Sequence, residues 1–122
     1  MIKNQEINIY VVDDDVEVGT AITLLLRSEG FNVEKFLSGR NAISDMTIRI
    51  PDLVLLDYML PGENVEDLIP RFRKKGRSDL PIILMSASLD AARSAKNYSV
   101  QDFLAKPFAR EDVITAINKI VV

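Results

Sequence analysis

The sequence contains neither cysteine nor histidine, and these two absences exclude several kinds of chemistry. Without cysteine the chain has no disulfide framework and no thiolate metal site, which fits a reducing compartment. Without histidine it has no Ser-His-Asp triad, no zinc site built on imidazole and no phosphohistidine of its own. A metal bound by these side chains would therefore have oxygen ligands.

Long apolar segments and a nucleotide loop are also missing. Residues 1–6 lack the apolar core of a signal peptide, and no run approaches the length of a membrane span. The sequence has no Gly-x-x-x-x-Gly-Lys-[Ser/Thr] loop for ATP. The net charge of −3 and the pI near 4.9 argue against nonspecific binding to nucleic acid or to anionic membranes. We therefore expect a soluble cytoplasmic protein that binds neither directly.

Short apolar runs alternate with helical patterns along the chain. A length of 122 residues with 48% hydrophobic content suits one domain over residues 1–122. Five strands alternating with five helices, joined by short connections, are typical of a parallel sheet covered on both faces. The predicted strands are 7–12, 31–36, the apolar run 53–56 that ends at Asp57, 81–85 and 102–105.

The helices follow from apolar residues at i, i+3 and i+4 spacing. Gly30 should end the first helix as a C-terminal cap. Pro70 should kink the third helix or delay its start, because proline lacks an N–H and crowds the preceding turn. The fourth helix, residues 89–97, has the weakest pattern. The predicted buried residues are Val18, Ala21, Ile22, Leu25 and Leu26 in the first helix; Ala42, Ile43 and Met46 in the second; Val65, Leu68, Ile69 and Phe72 in the third; and Val113, Ile114, Ile117, Ile120 and Val121 in the last.

Polar side chains stand at the carboxyl ends of four predicted strands: Asp13 and Asp14, Asp57, Ser86 and Lys106. Parallel strands joined by right-handed crossovers point their carboxyl ends to one edge, so we expect these groups to meet there. Three carboxylates raise one another's pKa unless a cation lies among them, and oxygen ligands favour a hard ion such as Mg²⁺. The lysine would add a positive charge, and the serine a hydroxyl, for phosphoryl oxygens.

These segments resemble a known family, the CheY-like receiver domain of two-component response regulators. The resemblance covers the whole chain and implies a flavodoxin-like, doubly wound α/β fold with five parallel strands in the order 2-1-3-4-5 and five helices. It is carried by Val11-Val12-Asp13-Asp14, by Asp57 with Met59-Leu60-Pro61-Gly62, by Ser86-Ala87, and by Phe103-Leu104-Ala105-Lys106-Pro107-Phe108.

The resemblance implies how the acidic residues work. Asp57 would accept a phosphoryl group from a phosphohistidine on a sensor histidine kinase or a histidine phosphotransfer protein. Mg²⁺ would be bound by Asp14, by Asp57 and by the backbone carbonyl of Met59, and Asp13 would hold it largely through water. Lys106 would pair with Asp57 at rest and with the phosphoryl group afterwards.

The resemblance also implies a switch. On phosphorylation the Ser86 hydroxyl would move toward the phosphoryl oxygens, and the Phe103 ring would turn inward behind it. The peptide bond between Lys106 and Pro107 is expected to be cis. The domain would be a phosphoacceptor that assists its own phosphorylation and dephosphorylation, not an enzyme. Its phosphorylated form would bind an unknown output protein or domain differently, or form a dimer.

Taken singly, the same residues have structural interpretations. Residues 13–15 could be the acidic start of a helix, Asp57 a turn residue and Ser86 a helix cap. Phe103 belongs to the core in either account. The basic segment 71–77 is interpreted as the solvated, cationic end of the third helix.

The chain departs from the family pattern, which leaves other functions open. Ser99-Val100 stands where the family usually has Gly-Ala, Asn64-Val65 where it has Asp-Gly, and the segment before Lys106 is shorter than usual. One alternative is therefore a degenerate receiver that acts as a non-phosphorylated protein-binding module. Another is a phosphohydrolase of the haloacid dehalogenase type, which needs a second aspartate where Met59 stands.

Overall fold

The core of the molecule is one five-stranded parallel sheet with the strand order β2-β1-β3-β4-β5. This confirms the predicted doubly wound α/β fold. The computed structural model describes residues 6–88 and 99–121. The strands are β1 (Asn8–Val12), β2 (Asn32–Phe36), β3 (Leu53–Asp57), β4 (Ile82–Ser86) and β5 (Asp102–Ala105).

Four helices cover the sheet in the described part of the chain. They are α1 (Val16–Ser28), α2 (Gly39–Asp45), α3 (Val65–Lys75) and α4 (Arg110–Val121). The helix predicted over residues 89–97 lies outside the described residues. Within residues 6–88 and 99–121, no helix combines the length and the apolar character that crossing a bilayer requires.

Neighbouring residues of each central strand face opposite cores, because side chains alternate along a strand. In β1, Ile9 and Val11 pack with α1 and α4, whereas Tyr10 and Val12 pack with α2 and α3. Every residue of β3 and β4 is buried. The continuous apolar runs of the sequence thus reflect a sheet that is covered on both faces.

The buried face of α1 differs from the predicted one. Ala21 is exposed, while Gly19 and Thr23 are buried with Ile22 and Leu26. These four buried positions share i, i+3, i+4 and i+7 spacing, so the face is helical but includes a glycine and a polar residue that hydrophobic patterns overlook. After the helix, Gly30 adopts a positive φ of 94° and donates to the Arg27 carbonyl, as predicted for a cap.

Of the two effects predicted for Pro70, a late start of α3 is wrong, while a kink stays a prediction. The helix begins at Val65, where the Asn64 carbonyl accepts from the N–H groups of Asp67 and Leu68 at 3.1 and 3.0 Å. Pro70 lies on the exposed side of the helix, opposite the buried face. Proline is tolerated there because water can solvate a carbonyl that loses its intrahelical partner.

Candidate functional site

Three aspartates meet at the carboxyl edge of the sheet. Asp13 follows β1 and Asp57 ends β3, and both are buried, while Asp14 is exposed. One carboxylate oxygen from each of the three lies within 4.8 Å of the others. The sheet topology therefore brings together residues that are 43 positions apart in the sequence (57 minus 14).

The three aspartates after β1 have two different roles. Asp15 caps α1, because its Oδ1 accepts from the N–H groups of Glu17 and Val18 at 3.0 and 3.3 Å. Asp13 Oδ1 accepts from the Asp15 N–H at 2.9 Å, which fixes the direction of the buried carboxylate. The interpretation as an acidic helix start is thus correct for Asp15, and the other two carboxylates are left to face the site.

Lys106 is the cation of this cluster. Its Nζ lies 2.6 Å from Asp13 Oδ2 and 3.3 Å from Asp57 Oδ1. The implied pairing with Asp57 is therefore present, but the shorter contact is to Asp13. The Lys106 N–H also donates to the Ser86 carbonyl at 2.8 Å, and the peptide bond from Lys106 to Pro107 is cis.

Burial and charge shift the pKa values of this cluster. Burial, followed by the charge of Asp13, raises the pKa of Asp57 to about 6, although Lys106 and the Met59 N–H act in the opposite direction. Burial alone lowers the pKa of Lys106, but its hydrogen bond to Asp13 and the carboxylate charges outweigh that effect and raise it. The raised pKa of Asp57 thus reflects first its burial and only second the neighbouring carboxylate charge.

The residues present fit a hard divalent cation. Every side-chain donor in the cluster is a carboxylate oxygen, and the excess of negative charge would be relieved by an ion bound among them. Asp57 also accepts a long hydrogen bond, 3.5 Å, from the Met59 N–H, so the loop after β3 turns back toward the carboxylate. This chemistry suits Mg²⁺ better than zinc or copper, which prefer imidazole or thiolate.

The two residues at the switch positions differ in their surroundings. Ser86 ends β4 and is buried, and its Oγ donates to the Ser88 carbonyl at 2.8 Å and accepts from the Ser88 N–H at 3.0 Å. Phe103 is only partly buried and packs against the core beneath α2 and α3. It therefore lies at the margin of the core, because β5 is an edge strand and covers its residues less completely than β3 or β4.

Sequence reasoning missed the contacts of two further residues, Glu63 near the site and Arg73 at the opposite edge of the sheet, where β4 and β5 begin. The Glu63 carboxylate accepts hydrogen bonds from the N–H groups of Gly39 and Arg40 at the start of α2. Arg73 is half-buried: its Nε donates to the Leu80 carbonyl and one terminal nitrogen to the Ser99 carbonyl, at 3.1 and 2.9 Å. The basic segment 71–77 is therefore not uniformly solvated. Neither residue stands in a motif that would have singled it out.

Comparison with known proteins decides the family. The model of the response regulator receiver domain matches residues 9–118, which include every residue of the cluster. The chain belongs to this family. Receiver domains of this family are phosphoacceptor switches of two-component systems rather than classical enzymes.

Curated relatives include larger regulators. The chain is 33% identical over 112 residues to the DNA-binding response regulator MtrA of Mycolicibacterium paratuberculosis, covering 90% of this chain and 49% of MtrA. This receiver domain therefore spans about half the length of that relative.

Solved structures show the same fold at lower identity. Chemotaxis protein CheY4 of Vibrio cholerae superposes with a TM-score of 0.86 at 19% identity, covering 94% of this chain and 98% of that one. Response regulator TrrA of Thermotoga maritima, solved in complex with Mg²⁺ and BeF, gives 0.83 at 24% identity, covering 94% and 99%. At these sequence identities the structural similarity supports only the fold.

Proposed function

We propose that this receiver domain accepts a phosphoryl group on Asp57 in a Mg²⁺-dependent reaction. The donor would be a phosphohistidine on a sensor histidine kinase or a histidine phosphotransfer protein. The observation that carries the proposal is the cluster itself: Asp13, Asp14 and Asp57 within 4.8 Å of one another, with the Lys106 ammonium against two of them.

Asp57 is suited to act as the nucleophile. Its pKa of about 6 leaves the carboxylate ionised at neutral pH, yet its burial limits the water that would otherwise solvate it. A carboxylate oxygen would attack phosphorus, forming a P–O bond as the P–N bond of phosphohistidine breaks and its electron pair returns to the imidazole nitrogen. Phosphoryl transfer depends mainly on such positioning and on charge stabilisation.

Two positive charges would serve that reaction. Asp14, Asp57 and the Met59 carbonyl would bind Mg²⁺, with Asp13 acting largely through water. When bound, the ion would neutralise the carboxylates and the phosphoryl oxygens. Lys106 is held within reach by its short contact with Asp13, so its ammonium can turn from Asp57 to a phosphoryl oxygen with little movement.

The signal would pass through Ser86 and Phe103. The Ser86 hydroxyl would exchange its hydrogen bond with Ser88 for one with the phosphoryl group. Phe103, which is only partly buried, would turn into the space behind it. The altered surface would bind a downstream output protein or domain, or a second copy of the chain, in the cytoplasm.

The decisive experiment is intact mass spectrometry after incubation with acetyl phosphate and Mg²⁺. Wild type should gain one phosphoryl group, which hydroxylamine removes and which chelation of Mg²⁺ prevents. Asp57→Asn should gain none, whereas Asp79→Asn, which removes an exposed carboxylate far from the cluster in sequence, should behave as wild type. An unmodified wild type would indicate a degenerate receiver, and multiple turnover of a generic phosphomonoester would indicate a phosphohydrolase.

A further inference from the structure

We infer that Glu63 is a positioning residue for the metal site. Its carboxylate latches the loop of residues 58–64, which follows Asp57, onto the start of α2. The inference rests on the proposed function, in which the backbone carbonyl of Met59 in this loop binds Mg²⁺. The affinity of the site for Mg²⁺ would then depend on a residue outside the aspartate cluster.

The latch consists of two short hydrogen bonds to one carboxylate. Glu63 Oε1 accepts from the Gly39 N–H at 2.8 Å, and Oε2 accepts from the Arg40 N–H at 2.9 Å. These are the first two residues of α2, whose N–H groups have no partner within the helix. The helix dipole also favours a negative charge at this end. The carboxylate is therefore held at both oxygens.

The same residue closes the turn that follows Met59. The Glu63 N–H donates to the Leu60 carbonyl at 3.1 Å, and Pro61 and Gly62 occupy the two central positions of this turn. Gly62 has a φ of 71°, as the third position of a type II turn requires. The turn is thus stiff. Fixing Glu63 therefore also restrains the position of the residues just before the turn.

Met59 itself has little else to hold it. The residue is 71% exposed, so packing does not position its backbone. It lies between the end of β3 at Asp57 and the buried Leu60, which anchors the start of the turn. The latch at Glu63 is the second anchor of this short segment.

The anchor point on α2 is itself closely packed. A Cβ added to Gly39 would lie 2.5 Å from Leu68 Cδ2, so the start of α2 lies directly against α3. Motion of α2 away from its place is therefore resisted by the core. A loop attached to this point is therefore held in place as well. Residues that orient the metal ligands without binding the ion affect metal affinity in this way.

The test is isothermal titration of Mg²⁺ into wild type, Glu63→Ala and Glu63→Gln. Both variants should bind Mg²⁺ more weakly, by on the order of tenfold. Glutamine should not rescue binding, because its amide has one acceptor oxygen and would turn N–H donors toward one of the two backbone N–H groups. The rate of phosphorylation by acetyl phosphate, extrapolated to saturating Mg²⁺, should stay near that of wild type.

Glu66→Ala is the matched control. Glu66 is exposed in the first turn of α3, three positions along, and its removal lowers the local negative charge equally. Its Mg²⁺ affinity should remain close to that of wild type, and urea denaturation should show all variants folded at the temperature of titration. Equal affinities for Glu63→Ala and wild type, or equal losses for Glu63→Ala and Glu66→Ala, would overturn the inference. Failure of wild type to bind Mg²⁺ would instead overturn the proposed function.

Discussion

Replacing the proposed nucleophile should stabilise the metal-free domain. The side chain of Asp57 is 8% exposed, and burial together with the charge of Asp13 raises its pKa from the usual 3.8 to about 6. A tenfold change in proton affinity is worth about 1.4 kcal/mol, so ionised Asp57 opposes folding by up to about 3 kcal/mol at pH 7. Asn has the shape of the neutral acid and carries no charge. We expect Asp57→Asn to gain about 1–3 kcal/mol after allowing for partial solvation.

The gain should depend on pH in a defined direction. Below pH 3.8 the carboxyl is protonated in both the folded and the unfolded chain, so its ionisation does not affect folding. Between pH 3.8 and about 6 the unfolded chain loses this proton first, and the stability of wild type falls relative to the variant. Above about pH 7 both forms are ionised and the difference is constant.

The assay is urea denaturation in EDTA at pH 4.0 and pH 7.5, with Tm as a second measurement. Each kcal/mol corresponds to about 3–5 °C for a domain of this size. Asp79→Asn, whose side chain is 83% exposed, is the control and should change neither quantity. An Asp57→Asn variant that is no more stable than wild type at pH 7.5, or whose advantage is the same at both pH values, would refute the electrostatic origin of the gain.

Three further substitutions test single features of the fold. Thr23→Val should raise the free energy of unfolding by about 1 kcal/mol, because the buried Thr23 Oγ1 has no hydrogen-bond partner in the described part of the chain; a loss in urea denaturation would contradict this. Ser99→Gly should gain about 1 kcal/mol, since Ser99 has a φ of 59°, whereas the matched Ser99→Ala keeps the strain and should gain nothing. Tyr10→Phe should cost about 1 kcal/mol at pH 7, because Tyr10 donates to Asp45 at 2.6 Å. Burial and Asp45 raise the pKa of Tyr10, so the wild-type advantage should hold below pH 10 and shrink as the pH rises further; a constant difference in pH-dependent denaturation would contradict this.

The position of Ser99 also explains a departure from the family pattern. The family usually has glycine there, and the structure shows why: the backbone adopts the left-handed conformation that glycine enters without strain. The sequence shows the substitution but not its cost in backbone strain. That cost depends on φ, which is visible only in the folded chain.

Much of the fold follows from local patterns. The continuous apolar runs predicted buried parallel strands, and β5 begins and ends where predicted, at Asp102 and Ala105. Residue type alone predicts burial less well. Hydrophobic patterns place Ala21 in the core and leave Thr23 out because they rank residues by polarity, whereas packing decides which face of α1 meets the sheet.

The sequence by itself determined which residues meet at the candidate site. The absence of histidine and cysteine left only oxygen ligands, and the strand ends placed Asp13, Asp14, Asp57 and Lys106 at one edge. Only the tertiary structure decided how they pair. Lys106 lies closer to Asp13 than to Asp57, and Glu63 reaches α2, because such contacts depend on distances between segments far apart in the chain, which no local pattern encodes.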